Sequence, residues 1–268
     1  MKTLLIWLTS FTFLAQLLQP ESASHVIESV NSREIGSPGL RRVKIELLEQ
    51  GISTRVLQVI NVWKRDGQSV KTLFALELPT GLRGISYLME ENLPDQELLV
   101  SMFLPAGKRQ VLQLTPATTH EGLLGSDFSY DEMRWTLPNR DVEYVVRGKA
   151  TCLHRPAILV DMKPNNSSLP WSQVRLSIDD ESRIIVAADY YLGGQLQKSF
   201  RVIELDKRGN TWTPTVMEMQ TGTRTTRLSL VSHRFNVQEP IPEPDVSTLR
   251  SIAELTKSDQ LNSLFVLE

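Results

Sequence analysis

The chain has 268 residues, of which 41% are hydrophobic, with a formal net charge of -2 and one cysteine. The balanced charge argues against a nucleic-acid-binding protein, which normally carries a basic excess. One cysteine can form neither an internal disulfide nor a thiolate cluster for zinc. The length fits one large domain or two small ones, and is enough to bury a sizeable core.

The first 24 residues have the three parts of a secretory signal peptide. Lys2 opens the segment, an apolar run occupies 4–18, and Ser22-Ala23-Ser24 supplies the small residues of a cleavage site. These parts predict cleavage after Ser24 and an exported, soluble mature chain. The alternative is an uncleaved anchor. However, the run is interrupted by polar residues and is shorter than the ~20 apolar residues of a spanning helix.

After residue 39, apolar residues recur at every second position, which is the period of half-buried strands. Val43 and Ile45 alternate with charged residues, and similar runs recur at 8–14-residue spacing as far as 223–236. Asp66-Gly67 and Gly193-Gly194 are typical of hairpin turns. The pattern predicts a mainly β protein of about eleven short antiparallel strands, in a sandwich, barrel or half-barrel.

Helical spacing is confined to short segments. Val26, Ile27 and Val30 predict a short helix, and residues 118–135 break the strand period and predict a loop with a short helix. Three prolines within 238–245 predict an extended strap, followed by a short docking element. We therefore expect a signal peptide at 1–24, one domain at 25–255 and a C-terminal tail at 256–268.

Sequence motifs for catalysis and metal binding are lacking. The chain has no nucleophile elbow, phosphate loop or His-Glu-x-x-His motif, and its four histidines are scattered. Ser126-Asp127 near His120 is a candidate for nucleophilic catalysis. The pattern that is complete there is structural, because Gly125 permits a turn, Ser126 or Asp127 can cap a helix, and Phe128 and Tyr130 can pack it down. We expect no enzyme activity, no cofactor and no metal.

Cys152 is an odd thiol in a chain expected to be exported. We interpret it as a small buried hydrophobe. A nucleophile would need a histidine to lower its pKa, and His154 lies at a spacing that places it only loosely on the same strand face.

Three segments resemble a known family in their residues, order and intervals. The first two are Gly84-Ile85-Ser86-Tyr87-Leu88 and the segment from Leu124 to Met133, and the third begins at Trp212. They resemble the bacterial outer-membrane lipoprotein-sorting protein family, a poorly characterised branch of the LolA/LolB-like superfamily. Residues 246–252 are similar to its closing motif, with Ser247 where an aromatic residue is usual. The motif residues are Gly84, Tyr87, Gly125, Ser126, Asp127, Phe128, Trp212 and Pro214.

The resemblance covers nearly all of 25–255 and implies both a fold and a function. The implied fold is a strongly curved antiparallel half-barrel with short helices covering its concave face. The implied function is that of a periplasmic carrier, which binds lipid or lipoprotein acyl chains in an apolar cavity. The membrane-bound receptor type of this superfamily is itself a lipoprotein. This chain has no cysteine near the predicted cleavage site, so it resembles the soluble carrier type.

Apolar strand faces are the candidates for the cavity lining. Burial of hydrocarbon there is favourable by roughly 25 cal/mol per Å2. The alternative is that the same faces form an ordinary core. The candidate lining residues are Val70, Phe74, Leu76, Leu98, Val100, Met102, Val186 and Tyr190.

The expected partners are lipid or lipoprotein acyl chains, with an inner-membrane transporter as a further candidate and no nucleic acid. A second hypothesis is a ligand-free periplasmic accessory or sensor module that uses the same fold for protein contacts. The two differ in whether the interior is hollow or filled.

Overall fold

The computed structural model describes residues 21–92, 97–106, 110–165, 169–238, 240–258, 263 and 265. It contains helices α1 (Ala23–Ser32) and α2 (Thr248–Leu255) and four 3-10 turns at Thr80–Leu82, Pro116–His120, Leu123–Gly125 and Asp131–Met133. The strands are β1 Gly39–Glu49, β2 Ile52–Asp66, β3 Ser69–Leu78, β4 Ser86–Asn92, β5 Glu97–Phe103, β6 Val111–Gln113, β7 Val142–Cys152, β8 Arg155–Pro164, β9 Gln173–Asp179, β10 Ile185–Leu192, β11 Gln195–Arg208, β12 Thr211–Thr221 and β13 Arg224–Arg234.

All these strands form one antiparallel sheet that is not closed into a barrel. Its order is β6-β5-β4-β3-β2-β1-β13-β12-β11-β10-β9-β8-β7, so β6 and β7 are its free edges. The chain runs outward from β1 to one edge, crosses to the other edge, and returns through β7–β13 to pair with β1. The connection between the edges contains the segment 116–137, which we call the cover segment.

The curved half-barrel expected from the sequence is confirmed, with thirteen strands where about eleven were predicted. β6 is only three residues long, and six of the connections between strands are two-residue turns. Leu192 pairs with Gln195 across Gly193-Gly194, and Asp66 pairs with Ser69 across Gly67, as the turn signals predicted.

The strand period of two divides the sheet into two faces, each with its own core. On β3, Phe74 and Leu76 lie on what we call the inner face, where Leu123 of the cover segment joins their cluster. Leu73 and Ala75 lie on the outer face, in a cluster that contains Leu249 of α2. Both faces are therefore buried in this half of the sheet.

The two helices lie on opposite faces. Val26, Ile27 and Val30 of α1 pack on the inner face of β8–β10, with the spacing that predicted the helix. Leu249 and Ile252 of α2 pack on the outer face of β2–β5. The inner face is thus covered by α1 and the cover segment, and α2 braces the sheet from behind.

The predicted signal peptide lies mostly outside the described residues, which begin at Glu21. α1 begins at Ala23, and the Ser22 hydroxyl caps it by accepting a hydrogen bond from the backbone N–H of His25 at 3.3 Å. Cleavage after Ser24 would therefore remove the cap and the first two residues of α1. Within the described part of the chain, no helix is long and apolar enough to span a membrane.

Candidate functional site

A cavity of about 230 Å3 lies on the inner face between the β8–β13 half of the sheet and the cover segment. Most of its wall is apolar or aromatic. The aromatic lining residues are Phe128, Trp135, Trp171, Tyr190, Phe200, Trp212 and Phe235. The methionines are Met133, Met162, Met217 and Met219, whose flexible thioether side chains can adapt to ligands of different shape.

The volume limits what this cavity can hold. Pockets for drug-sized ligands typically measure roughly 300–1,000 Å3. This cavity, at about 230 Å3, lies below that range. The cavity in this conformation therefore fits a single short hydrocarbon chain or part of a longer one.

The cover segment is held against the sheet by aromatic packing. Tyr130 packs on Tyr87 of β4 with ring centroids 5.7 Å apart. Phe128 meets Phe200 of β11 edge-to-face at 6.0 Å. Because these two contacts lie on opposite halves of the sheet, the segment bridges the open side of the half-barrel.

Asp127 fastens the cover segment to β13. Its buried carboxylate pairs with Arg224 and accepts a hydrogen bond from the Thr226 hydroxyl at 2.8 Å. The Thr226 hydroxyl in turn accepts from the backbone N–H of Asp127 at 2.9 Å. The pairing with Asp127 raises the pKa of Arg224. This motif carboxylate is therefore engaged in structure.

Glu91 fastens the far end of the same segment. Its buried carboxylate accepts hydrogen bonds from the backbone N–H groups of Trp135 and Thr136 at 3.0 and 3.2 Å, and from the Thr136 hydroxyl at 2.7 Å. Burial raises the pKa of Glu91, and Arg134 and these hydrogen bonds partly oppose the shift. The carboxylate orients Trp135, which lines the cavity.

Arg33, Arg41 and Arg134 introduce positive charge into this mainly apolar wall. Arg33 donates hydrogen bonds to the carbonyls of Val30 and Trp135. Arg41 lies beside a pair of packed indole rings, 5.3 Å from the Trp63 ring centroid and 5.1 Å from that of Trp135, and the two centroids are 5.5 Å apart. Burial lowers the pKa of Arg33 and that of Arg41 to about 10.

Of the lining residues predicted from sequence, the structure places Tyr190 in the cavity wall. Five of the other predicted residues, which belong to β3 or β5, lie on the same inner face, in the half that Leu123, Phe128 and Tyr130 cover. Val70 packs against Trp63, and Val186 belongs to a separate cluster with Ile184 and Val202. The residues in the covered half are Phe74, Leu76, Leu98, Val100 and Met102.

The family-motif residues occupy three structural roles. Phe128, Trp212 and Pro214 line the cavity. Tyr87 and Asp127 hold the cover segment, and the Ser126 hydroxyl bonds within it to the backbone of Phe128. Gly84 and Gly125 have left-handed backbones, with φ of +85° and +78°.

Groups considered for catalysis have other partners. His120 pairs with Asp131 at 2.7 Å, and Asp127 pairs with Arg224. Cys152 is partly buried and packs beside Ile184, Val186 and Val202. Within the described ranges, no cluster of three or more histidine, cysteine or acidic side chains could hold a metal ion.

A second and larger cleft of about 880 Å3 lies beside α1. Its lining is more polar and includes Glu28, Asn31, Arg65 and Gln68. We regard the smaller inner cavity as the candidate site because a concave, mainly apolar wall with a few polar groups is typical of small-molecule sites.

A family model described as that of an uncharacterized protein matches residues 68–250. No curated protein matches the sequence.

Three crystal structures have a similar fold over most of both chains. A domain from Vibrio parahaemolyticus, named for outer membrane lipoprotein sorting, has a TM-score of 0.73 at 14% identity and covers 84% of this chain and 97% of its own. A DUF1329 family protein from Desulfovibrio piger has a TM-score of 0.71 at 16% identity, with coverage of 83% and 94%. A LolA superfamily protein from Nitrosomonas europaea has a TM-score of 0.62 at 14% identity and covers 84% of this chain and 96% of its own.

Proposed function

The chain belongs to the DUF1329-type family of lipoprotein-sorting-like proteins, and from this premise we propose that it is a periplasmic carrier of acyl chains. The observation that supports the proposal is the apolar cavity between the open sheet and the cover segment. It offers hydrocarbon an environment out of water, which is favourable by roughly 25 cal/mol per Å2. Four methionines in the wall suit chains of varied shape.

The cavity volume restricts the cargo. At about 230 Å3 it accepts one chain or part of one, so a cargo with several acyl chains requires the cover segment to move outward. That segment is fixed by Asp127 near its middle, by the buried pair of Glu132 with Lys198, and by Glu91 near its C-terminal end. Loading of a larger cargo therefore requires some of these contacts to break.

A titration with a fluorescent fatty acid tests the proposal. Ala188 is buried in the cavity wall, so Ala188→Leu adds side-chain volume to the space the chain would use. We expect saturable binding of one fatty acid per wild-type chain and at least tenfold weaker binding by Ala188→Leu. Ala106→Leu, at an exposed position, makes the same change away from the cavity and should bind as the wild type does. Equal binding by all three proteins, or none by the wild type, contradicts the proposal.

A further inference from the structure

Arg41 is placed on the inner face by the strand period. It shares the odd-numbered positions of β1 with Val43 and Ile45, which are buried in the inner core. In the sheet it lies opposite Asn61 of β2 and His233 of β13. A positive side chain therefore occupies a position that the rest of the strand uses for apolar residues.

The guanidinium of Arg41 has few protein partners. Its Nε donates a hydrogen bond to the Oδ1 atom of the buried Asn61 at 2.7 Å. Its planar group contacts both rings of the packed Trp63–Trp135 pair, and aromatic rings attract a cation. Among the described residues no carboxylate pairs with Arg41, and its two terminal nitrogens donate no hydrogen bond.

The acidic side chains of the cavity wall are engaged elsewhere. Glu132 pairs with Lys198 at 2.5 Å, and Asp131 pairs with His120 at 2.7 Å. Glu34 accepts a hydrogen bond from the backbone N–H of Gly36 at 2.5 Å. His233, opposite Arg41, has a pKa lowered by burial, which favours its neutral form. The cationic group at this end of the cavity is therefore left without a protein counter-ion in the described structure.

An unpaired cation is costly in an apolar site, and an anion supplied from outside removes that cost. Arg41 is half-buried, and this burial lowers its pKa to about 10. The guanidinium fork matches the oxygens of a carboxylate or a phosphate in two parallel hydrogen bonds. The hydrogen bond to Asn61 and the contacts with the two indoles hold the guanidinium at this end of the cavity before the ligand arrives.

We propose that Arg41 binds the anionic head group, a carboxylate or phosphate, of a single-chain amphiphile whose hydrocarbon chain occupies the cavity. The inference rests on the proposed carrier function and adds selectivity for charge to it. Arg33 and Arg134 line the same cavity and contribute positive potential. An acyl ester or alcohol of equal length lacks the negative charge that Arg41 would bind at this end of the cavity.

Calorimetric titrations with decanoate, decyl phosphate and decanol at fixed ionic strength test this proposal. The three probes share a chain, so their differences report the head group. We expect wild-type protein to bind at least one of the anions about tenfold more tightly than decanol, as one charge-assisted contact would give. A preference for decanoate over decyl phosphate, or the reverse, identifies which anion is recognised.

Variants separate the head-group contact from the chain contact. In Arg41→Gln we expect the preference for anions to disappear while decanol binding is unchanged, and in Arg41→Lys we expect a partial preference. Arg227→Gln removes an exposed positive charge from β13 and should leave every affinity unchanged. A matching melting temperature for each variant shows that it is folded.

Each remaining outcome overturns a defined part of the account. Equal affinity of the wild type for decanol and both anions contradicts the role of Arg41 and leaves the carrier function standing. Failure of all three probes to bind contradicts the carrier function and, with it, this inference. Binding of acetate or inorganic phosphate as tightly as the long-chain anions would identify a free-anion site and contradict an amphiphile.

Discussion

At the scale of single residues, Asp127 shows how a motif that suggests chemistry can serve structure. Its side chain is 3% exposed and meets Arg224 and Thr226 of β13. These contacts fix the middle of the cover segment, which carries Phe128 into the cavity wall. The motif therefore positions the wall of the candidate site.

Replacement of Asp127 by Asn should destabilise the fold by about 2–3 kcal/mol, because it removes a buried charge that pairs with Arg224. Urea denaturation of Asp127→Asn and the wild type measures the change. Glu254→Gln breaks an exposed pair with Lys257 on α2, and we expect a change below about 0.5 kcal/mol. Equal effects of the two substitutions would show that Asp127 is not an anchor.

The unusual position of Arg41 could have been recognised from the alternation of residues along β1 alone. It falls in the same alternating positions as Val43 and Ile45, where an arginine is out of place. Its partners could not be predicted, because Trp63 comes from β2 and Trp135 from the cover segment. Only folding brings these two rings together beside the guanidinium.

At the scale of elements, ion pairs hold together the three strands at the β7 edge. Asp161 of β8 is 2% exposed and accepts hydrogen bonds from Arg147 of β7 at 2.7 Å and Arg175 of β9 at 2.9 Å. Burial alone would raise the pKa of Asp161, but the two arginines outweigh it and lower the pKa below 3.8. One carboxylate thus joins three strands.

The Asp161 contribution to stability should depend on pH in a defined direction. Because its pKa is lower in the folded state, the stabilisation is present above pH 3.8, the ordinary value, and is lost as pH falls through the folded pKa. Asp161→Asn should cost about 1–2 kcal/mol at pH 7, since both arginines are partly exposed.

Denaturation of wild type and Asp161→Asn across pH 2–7 measures this difference. We expect the two free energies of unfolding to converge as pH falls through the folded pKa of Asp161, which lies below 3.8. Glu143→Gln, at an exposed position of β7, should follow the wild type throughout. A gap that stays constant with pH would contradict the assignment of the effect to the carboxylate charge.

Gly84 links the outer face to α2. It has a φ of +85°, and a Cβ there would lie 3.1 Å from the carbonyl oxygen of Ala253. Gly194 has a φ of +79° with no atom within 4 Å of such a Cβ. Alanine at either position costs about 1–2 kcal/mol, because a residue with a Cβ is strained in the left-handed conformation. Only Gly84→Ala also pushes against α2.

Thermal denaturation of the two glycine variants isolates the helix contact. We expect Gly84→Ala to lose about 1 kcal/mol more than Gly194→Ala. Hydrogen exchange should show faster exchange of α2 amides in Gly84→Ala alone. Equal losses, with α2 unaffected, would mean that this glycine is required by its turn and not by the helix.

At the scale of the whole molecule, local signals predicted the sheet but not the cavity. Alternation along β3 placed Phe74 and Leu76 on the correct face, and the Gly193-Gly194 turn fixed the pairing of β10 with β11. The cover segment has no regular period, so its position over one half of the inner face could not be predicted. That position decides which inner side chains fill a core and which, like Tyr190, line the cavity.

The order of the strands was also beyond local signals. β1 pairs with β13, whose residues lie almost 200 positions later, as in the pair Ile45 and Leu228. This long-range pairing places Met217 and Met219 of β12 on the same wall as Phe128. The cavity therefore depends on contacts between distant parts of the chain.

Native mass spectrometry of the mature protein, mixed with a ten-carbon fatty acid, tests the central claim most directly. The account predicts a complex of one fatty acid with one chain, and its loss in Ala188→Leu, which fills the cavity. A spectrum that contains only the bare polypeptide would contradict an acyl-chain carrier. So would several ligands bound without saturation and equally in both proteins.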